Sequence, residues 1–236
     1  MDFSHSHVDL LTGTILKRWS EHTKYVNQAK FSPDGDFFIT GSYDHTLRIY
    51  SFHGLQLLKV FYFQGNVEST CFSNDSQTLI VGVRGDNYLH YINMATFDDV
   101  KVNMNSNGDD WVSFTPMDIS MHPSGKYILI STDASQILLM KFGSSVHVKR
   151  FYGLATDAYS MPRNCWHSSG TIFFAVGDDS LIYVFDVASE CVLTTLKGHN
   201  GVVRALKYDE RTDLLITGSF DNSIKVWANE CIMNSK

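Results

Sequence analysis

The chain has 236 residues, of which 44% are hydrophobic and 13% aromatic, enough for one large domain or two small ones and too aromatic for a disordered chain. Its 19 basic and 25 acidic residues give a formal net charge of −6, which offers no electrostatic reason to expect nucleic-acid binding. The sequence has no apolar run of the roughly 20 residues that a membrane helix needs, and its first residues lack the regions of a signal peptide, so neither a membrane protein nor a secreted precursor is expected.

Five segments share one pattern, in which a turn signal is followed by two short strands of alternating polarity. The clearest copies are the first, FSPDGDFFITGSYDHTLRIY at residues 31–50, and the last, LLITGSFDNSIKVW at residues 214–227. Three weaker copies lie between them, at residues 72–92, 122–140 and 167–186. Alternation of this kind predicts β-strands, and no helical periodicity competes with it over a comparable length.

The copies follow one another at intervals of 42 to 48 residues, measured between the last strand residues Tyr50, Ile92, Met140, Phe185 and Trp227. Short strands at a period of about 40–45 residues, with a Gly-His and Trp-Asp signature, are typical of WD40 blades. The sequence therefore resembles the WD40-repeat family over nearly its whole length. The resemblance implies an all-β propeller built of four-stranded blades.

The resemblance also implies the domain organisation. We predict a single WD40 β-propeller domain over residues 1–236, with repeats at about 22–61, 64–102, 115–151, 160–195 and 198–227. Residues 14–19 form an outer strand without a blade of its own, and the last repeat lacks a convincing outer strand. We therefore expect five blades, with the N-terminal strand closing the last one. Because seven blades are usual in the family, a fragment of a seven-bladed propeller is the alternative.

The family carries a structural tetrad, in which His, Ser, Asp and Trp side chains form a buried hydrogen-bonded chain across three strands. The matching positions here are His22, Ser42, Asp44 and Tyr50 in the first repeat, and His199, Ser219, Asp221 and Trp227 in the last. The same residue types occur in hydrolase triads, but their recurrence at the repeat period favours a structural role. The middle repeats keep less of the pattern: Asp86 in the second, Ala134 at the Asp position of the third, and Asp179 in the fourth.

Propellers of this family bind partners on a rim that flanks the inner strands. Alignment of the copies assigns to this rim the candidate partner-binding residues Tyr25, Asn27, Tyr43, Glu68, Asp178, Arg204 and Phe220. If the first and last blades are neighbours, the aromatic residues and Arg204 should converge on one sector. Glu68, Asp133 and Asp178 should then form an opposite, acidic sector. Tyr and Arg are enriched among residues that dominate binding energy, which supports an interaction site.

One further element is open to two interpretations. Trp111 follows an Asn-, Ser-, Gly- and Asp-rich stretch that makes the longest interval between repeats. An exposed Trp in such a loop would be an anchor for a partner, whereas a Trp packed over the blade edge would be structural.

No catalytic site, cofactor or metal is expected, because the sequence has no H-E-x-x-H, no phosphate-binding loop and no strand-flanked G-x-G-x-x-G. The resemblance implies a non-catalytic scaffold or adaptor that binds peptides or proteins on the propeller rim. The alternative is a reader or structural subunit of a chromatin or RNA-processing complex that binds a basic tail. A ubiquitin-ligase receptor is disfavoured, because the Arg that follows Trp-Asp in such receptors is missing after Asp186 and after Trp227.

The expected partners are therefore other proteins in a multi-subunit complex, with no membrane, no direct nucleic-acid contact and no small-molecule substrate. The four cysteines, Cys71, Cys165, Cys191 and Cys231, form no C-x-x-C pair and are too scattered for a disulfide scaffold. Together with the missing targeting signals, this predicts a cytoplasmic or nuclear protein.

Overall fold

The computed structural model describes residues 3–109, 111, 114–156 and 160–228. These residues form antiparallel sheets joined by turns, in two compact units, Met1–Lys101 and Val102–Lys236. Within the described ranges no helix has the length and hydropathy of a membrane span.

The N-terminal unit begins with a hairpin of two strands, β1 (His5–Val8) and β2 (Ile15–Trp19). The first blade follows, with strands β3 (Val26–Phe31), β4 (Phe37–Ser42), β5 (Thr46–Ser51) and β6 (Gln56–Tyr62). The second blade has strands β7 (Val67–Phe72), β8 (Thr78–Val83), β9 (Tyr88–Asn93) and β10 (Asp99–Asn103). Strands pair in chain order within each blade.

The C-terminal unit holds three further blades. The third has strands β11 (Pro116–Met121), β12 (Tyr127–Thr132), β13 (Gln136–Lys141) and β14 (His147–Tyr152). The fourth has strands β15 (Arg163–Trp166), β16 (Ile172–Val176), β17 (Ile182–Asp186) and β18 (Val192–Leu196). The last has strands β19 (Val203–Asp209), β20 (Leu214–Ser219) and β21 (Ile224–Ala228).

The hydrophobic core lies between successive blades. In the N-terminal unit, Ile39 and Leu47 of the first blade pack with Val67 and Leu79 of the second. In the C-terminal unit, Val184 of the fourth blade shares a buried cluster with residues of the last. Because the middle strands are covered on both faces, they are nearly continuous apolar runs, whereas outer strands such as β6 are largely exposed.

The predicted fold class is confirmed: the chain is all-β, with the blades of a WD40 β-propeller. Four blades have four antiparallel strands, and the last has three within the described residues. Among the described residues, Cys71 and Cys165 are buried and Cys191 is exposed, and none of the three is in a disulfide, while Cys231 lies outside the described residues.

Within the N-terminal unit, Ile15–Trp19 forms β2, which pairs with β1 in a two-stranded hairpin. Closure of the last blade by residues 14–19 stays a prediction. The hairpin has a tight turn, in which Asp9 Oδ1 accepts the Leu11 N–H at 2.8 Å and Gly13 adopts a φ of 69°. Local pairing across so short a loop costs little chain entropy.

Candidate functional site

A buried hydrogen-bonded chain crosses the last blade. His199 Nδ1 lies 2.8 Å from Asp221 Oδ2, and His199 Nε2 lies 2.8 Å from Thr217 Oγ1. The Trp227 indole N–H donates to the same Thr217 oxygen at 3.0 Å. This chain links the segment before β19 to β20, to β21 and to the turn between them, so it locks the blade.

The first blade has the same arrangement with a different end. His22 Nδ1 lies 2.8 Å from Asp44 Oδ2, and His22 Nε2 lies 2.8 Å from Thr40 Oγ1. Tyr50, at the position of the family's Trp, is fully buried, and its hydroxyl donates to Glu21 Oε2 at 3.2 Å.

The structure corrects the predicted roles of Ser42 and Ser219, which are not the hydroxyls bonded to the histidines. Ser42 Oγ donates to the Tyr25 carbonyl at 2.9 Å, and Ser219 Oγ donates to the Gly201 carbonyl at 2.7 Å. Sequence spacing missed Thr40 and Thr217 because residues two apart on a strand project to the same face. The repeated I-T-G-S motif offers two hydroxyls on that face, and the threonines lie nearer the histidines.

These bonds set the charges of the network. Burial alone would raise the pKa of Asp44, but hydrogen bonds from Thr46, His22 and the Thr23 N–H outweigh it and lower the pKa to about 2. Burial lowers the pKa of His22, which favours its neutral ring. A hydrolase triad would need His22 bonded to Ser42, but His22 bonds to Thr40 instead. Among the described residues no group of three or more His, Cys, Asp or Glu could hold a metal ion.

The middle repeats keep less of the structural tetrad, and their blades contain other polar pairs. In the second blade, His90 of β9 lies between Asp86 and Asp99. In the fourth blade, the Tyr183 hydroxyl donates to Asp179.

Five residues form what we call the N-terminal rim cluster: Tyr25, Asn27, Tyr43, Glu68 and Arg84. The Tyr25 and Tyr43 rings lie 5.8 Å apart, and Tyr25 is 51% exposed. Glu68 is 1% exposed beneath them and accepts the Arg84 Nε–H at 2.7 Å. Asn27 Nδ2 and the Tyr43 hydroxyl donate to its other oxygen, at 3.3 and 3.4 Å. Arg84 was not among the predicted residues, and its spacing from Glu68 gave no signal.

Four residues form the C-terminal rim cluster: Ser160, Asp178, Arg204 and Phe220. Phe220 is 67% exposed, and the Arg204 guanidinium carbon lies 5.4 Å from its ring centroid. Arg204 Nη1 lies 3.3 Å from Asp178 Oδ1, and the Ser160 hydroxyl donates to Asp178 Oδ2. The sequence-predicted residues Asp178, Arg204 and Phe220 are therefore in one cluster.

The structure also corrects the predicted acidic sector. Glu68 is buried against Arg84, and Asp178 is paired with Arg204. Asp133 Oδ1 accepts the Thr115 N–H at 2.7 Å. A carboxylate engaged by a guanidinium is not an open site for a basic ligand. Trp111 is 81% exposed, which favours the interpretation of this residue as a surface side chain over packing against the blade edge.

Comparison with known proteins agrees with this geometry. The sequence profile described as "WD domain, G-beta repeat" matches residues 13–51 and 190–228. "Cleavage stimulation factor subunit 50" of Arabidopsis thaliana is 24% identical over 235 residues, which cover 96% of this chain and 46% of that protein. "Serine-threonine kinase receptor-associated protein" of Mus musculus is 24% identical over 229 residues, covering 96% of this chain and 61% of that protein.

A partial match is also found. "DDB1- and CUL4-associated factor 10" of Xenopus tropicalis is 28% identical over 111 residues, covering 46% of this chain and 24% of that protein. The chain thus spans less than two thirds of each of these relatives. The recurring blades, the His–Asp–Thr chains and the two matched repeats make this chain similar to the WD40-repeat β-propeller proteins.

Proposed function

We propose that the chain is a non-catalytic binding module that recognises protein or peptide partners through its two rim clusters. One observation is the main support: an exposed aromatic ring lies beside a guanidinium that is paired with a carboxylate. In the C-terminal cluster these groups are Phe220, Arg204 and Asp178.

The arrangement suits binding because the contact groups are ordered in advance. Tyr43 is tied to Glu68 through its hydroxyl, and Glu68 is bound by Arg84. Binding of a partner then costs less rotamer entropy of these side chains than binding through unrestrained side chains would. Aromatic rings and Arg also dominate interface energetics.

The names of two relatives support partners in a multi-subunit assembly, since one is called a subunit of a factor and another a receptor-associated protein. A reader of basic tails has less support, because Glu68 and Asp178 are both paired with arginines. We place the protein in the cytoplasm or nucleus, in keeping with the buried thiols of Cys71 and Cys165, which are in no disulfide among the described residues.

The test is affinity purification of the tagged chain, followed by affinity measurement with each purified partner. The Tyr43→Ala/Phe220→Ala variant should lose at least about tenfold in affinity, as expected for removal of two anchor rings. Tyr62→Ala is the matched control, because Tyr62 is 80% exposed on the outer strand β6. Circular dichroism and thermal melting should show both variants folded. Equal affinity of the double variant and the wild type would contradict the proposal.

A further inference from the structure

The second blade is locked by a histidine that has a different set of partners. His90 Nδ1 lies 2.7 Å from Asp99 Oδ2, on β10, and His90 Nε2 lies 3.1 Å from Asp86 Oδ2, in the β8–β9 turn. The His90 side chain is 3% exposed. The ring of Phe63 packs edge-on against the imidazole at a centroid distance of 4.7 Å.

The partners of a histidine fix how many protons it needs. An ionised carboxylate only accepts hydrogen bonds, so each ring nitrogen that faces one must carry a hydrogen. A neutral imidazole has one N–H, so the two bonds of His90 together require the imidazolium. In contrast, His22 and His199 each face one carboxylate and one threonine hydroxyl. A neutral ring satisfies that pair by donating at Nδ1 and accepting at Nε2.

We propose that His90 is a proton-dependent clamp that joins the β8–β9 turn to the outer strand of the second blade. While His90 is doubly protonated, it donates to both Asp86 and Asp99. Loss of one proton places a buried lone pair against a carboxylate, which is repulsive and costs one charge-assisted bond. The clamp is therefore complete only while both ring nitrogens carry a hydrogen, and loss of either hydrogen opens it.

The surroundings of His90 are consistent with this assignment. Among the described residues, the carboxylates in contact with the ring are those of Asp86 and Asp99, whose side chains are 20% and 24% exposed. Because residues two apart on a strand share a face, Tyr88 projects to the same side of β9 as His90. For the same reason, Lys101 projects to the same side of β10 as Asp99. Phe63 supplies an apolar ring on the remaining side.

The clamp also bears on the N-terminal rim cluster, a step that rests on the proposed function. The β8–β9 turn that contains Asp86 also contains Arg84, whose Nε–H donates to Glu68. Asp86 Oδ1 accepts the Tyr88 N–H at 3.0 Å, so the Asp86 carboxylate ties the turn to β9. Release of Asp86 by His90 loosens the turn that holds Arg84 at the rim.

The test uses the full chain and needs no partner. Long-range ¹H–¹⁵N spectra recorded over a pH series should show a state in which both ring nitrogens of His90 are protonated while His22 keeps one unprotonated nitrogen. Hydrogen exchange of the β10 and β8–β9 amides, corrected for intrinsic rates, should lose at least about tenfold in protection over the step in which the spectra show His90 losing a proton. The amides of β4 and β20 should not.

Two neighbouring aspartates provide the matched variants. Asp99→Asn removes the second carboxylate, so a neutral His90 suffices and the pH dependence should vanish. Asp98→Asn changes an exposed residue whose side chain bonds to Thr96, so the pH dependence should remain. A neutral-ring pattern for His90 throughout the pH series, equal loss of protection in all blades, or identical behaviour of the two variants would overturn the clamp. These results are separate from the partner-affinity test of the proposed function.

Discussion

Replacing Thr217 with Val will destabilise the last blade by about 2–4 kcal/mol, since each buried polar group left unpaired costs about 1–3 kcal/mol. Thr217 is fully buried, and its hydroxyl oxygen lies 2.8 Å from His199 Nε2 and 3.0 Å from Trp227 Nε1. Val has nearly the same shape, so the change removes two hydrogen bonds without opening a cavity. Half-buried Trp227 can regain some water, which favours the lower part of the range.

Native-state hydrogen exchange of the β20 amides measures this loss within one blade, where global unfolding of a multi-blade chain need not be two-state. Ser219→Ala is the comparison, because Ser219 bonds to the Gly201 carbonyl and the Asp221 N–H instead of to His199. We expect it to cost about 1 kcal/mol, as for an ordinary hydrogen bond that is partly replaced by water. If Ser219→Ala proves the more damaging change and Thr217→Val is neutral, Thr217 is not the central hydroxyl of the chain.

Two further predictions concern a turn and an acid-sensitive carboxylate. Gly170→Ala will lower the free energy of unfolding by about 1–3 kcal/mol in urea, since it combines left-handed backbone strain with a clash. Gly170 has a φ of 68°, and an added Cβ would lie 2.7 Å from His122 Nε2. Gly143→Ala, with a φ of 67° and nothing within 4 Å of a Cβ, should cost less, and equal losses would contradict the clash. The pKa of Asp44 is lowered from 3.8 to about 2, so its contribution to stability is present above pH 3.8 and lost as the pH falls towards 2. Solvent screening limits this contribution to about 1–2 kcal/mol. Urea midpoints against pH should flatten in Asp44→Asn, and an unchanged profile would contradict the prediction.

The repeat period and the strand alternation were sufficient to predict the fold class, because blade strands are local features with turn signals between them. The hydrogen-bonded pairs His22–Asp44 and His199–Asp221 are implied by the resemblance to the WD40 family, and the structure contains both pairs. The choice between two hydroxyls in I-T-G-S could not be made from sequence, since both project to one face and only distance separates them.

The rim shows a second limit of sequence reasoning. Alignment of the copies predicts which positions lie near the rim, but charge alone does not reveal which carboxylates are open to solvent. Glu68 and Asp178 count as acidic in the sequence, yet Arg84 and Arg204 engage them in the structure. The pairing depends on the approach of different strands and turns, which composition and spacing do not encode.

Glu68→Gln distinguishes a supporting carboxylate from a ligand-binding one. Glu68 is 1% exposed and accepts hydrogen bonds from Arg84, Asn27 and Tyr43, so an amide group would place a donor against donors. Breaking a fully buried ion pair costs about 3–5 kcal/mol. Because the Arg84 side chain is 39% exposed and can regain water, we expect a loss of about 1–3 kcal/mol in urea unfolding.

The same variant separates the two candidate ligand chemistries. If Glu68 supports the rim, Glu68→Gln will lower stability, and the weak binding of a lysine-rich peptide will not depend on this residue. If Glu68 instead binds basic tails directly, the variant will keep its stability. It will then lose affinity for that peptide most strongly at low salt, where screening is weakest. That second pattern would refute the assignment of Glu68 as the buried partner of Arg84 and restore the basic-tail reader as the better explanation of the rim.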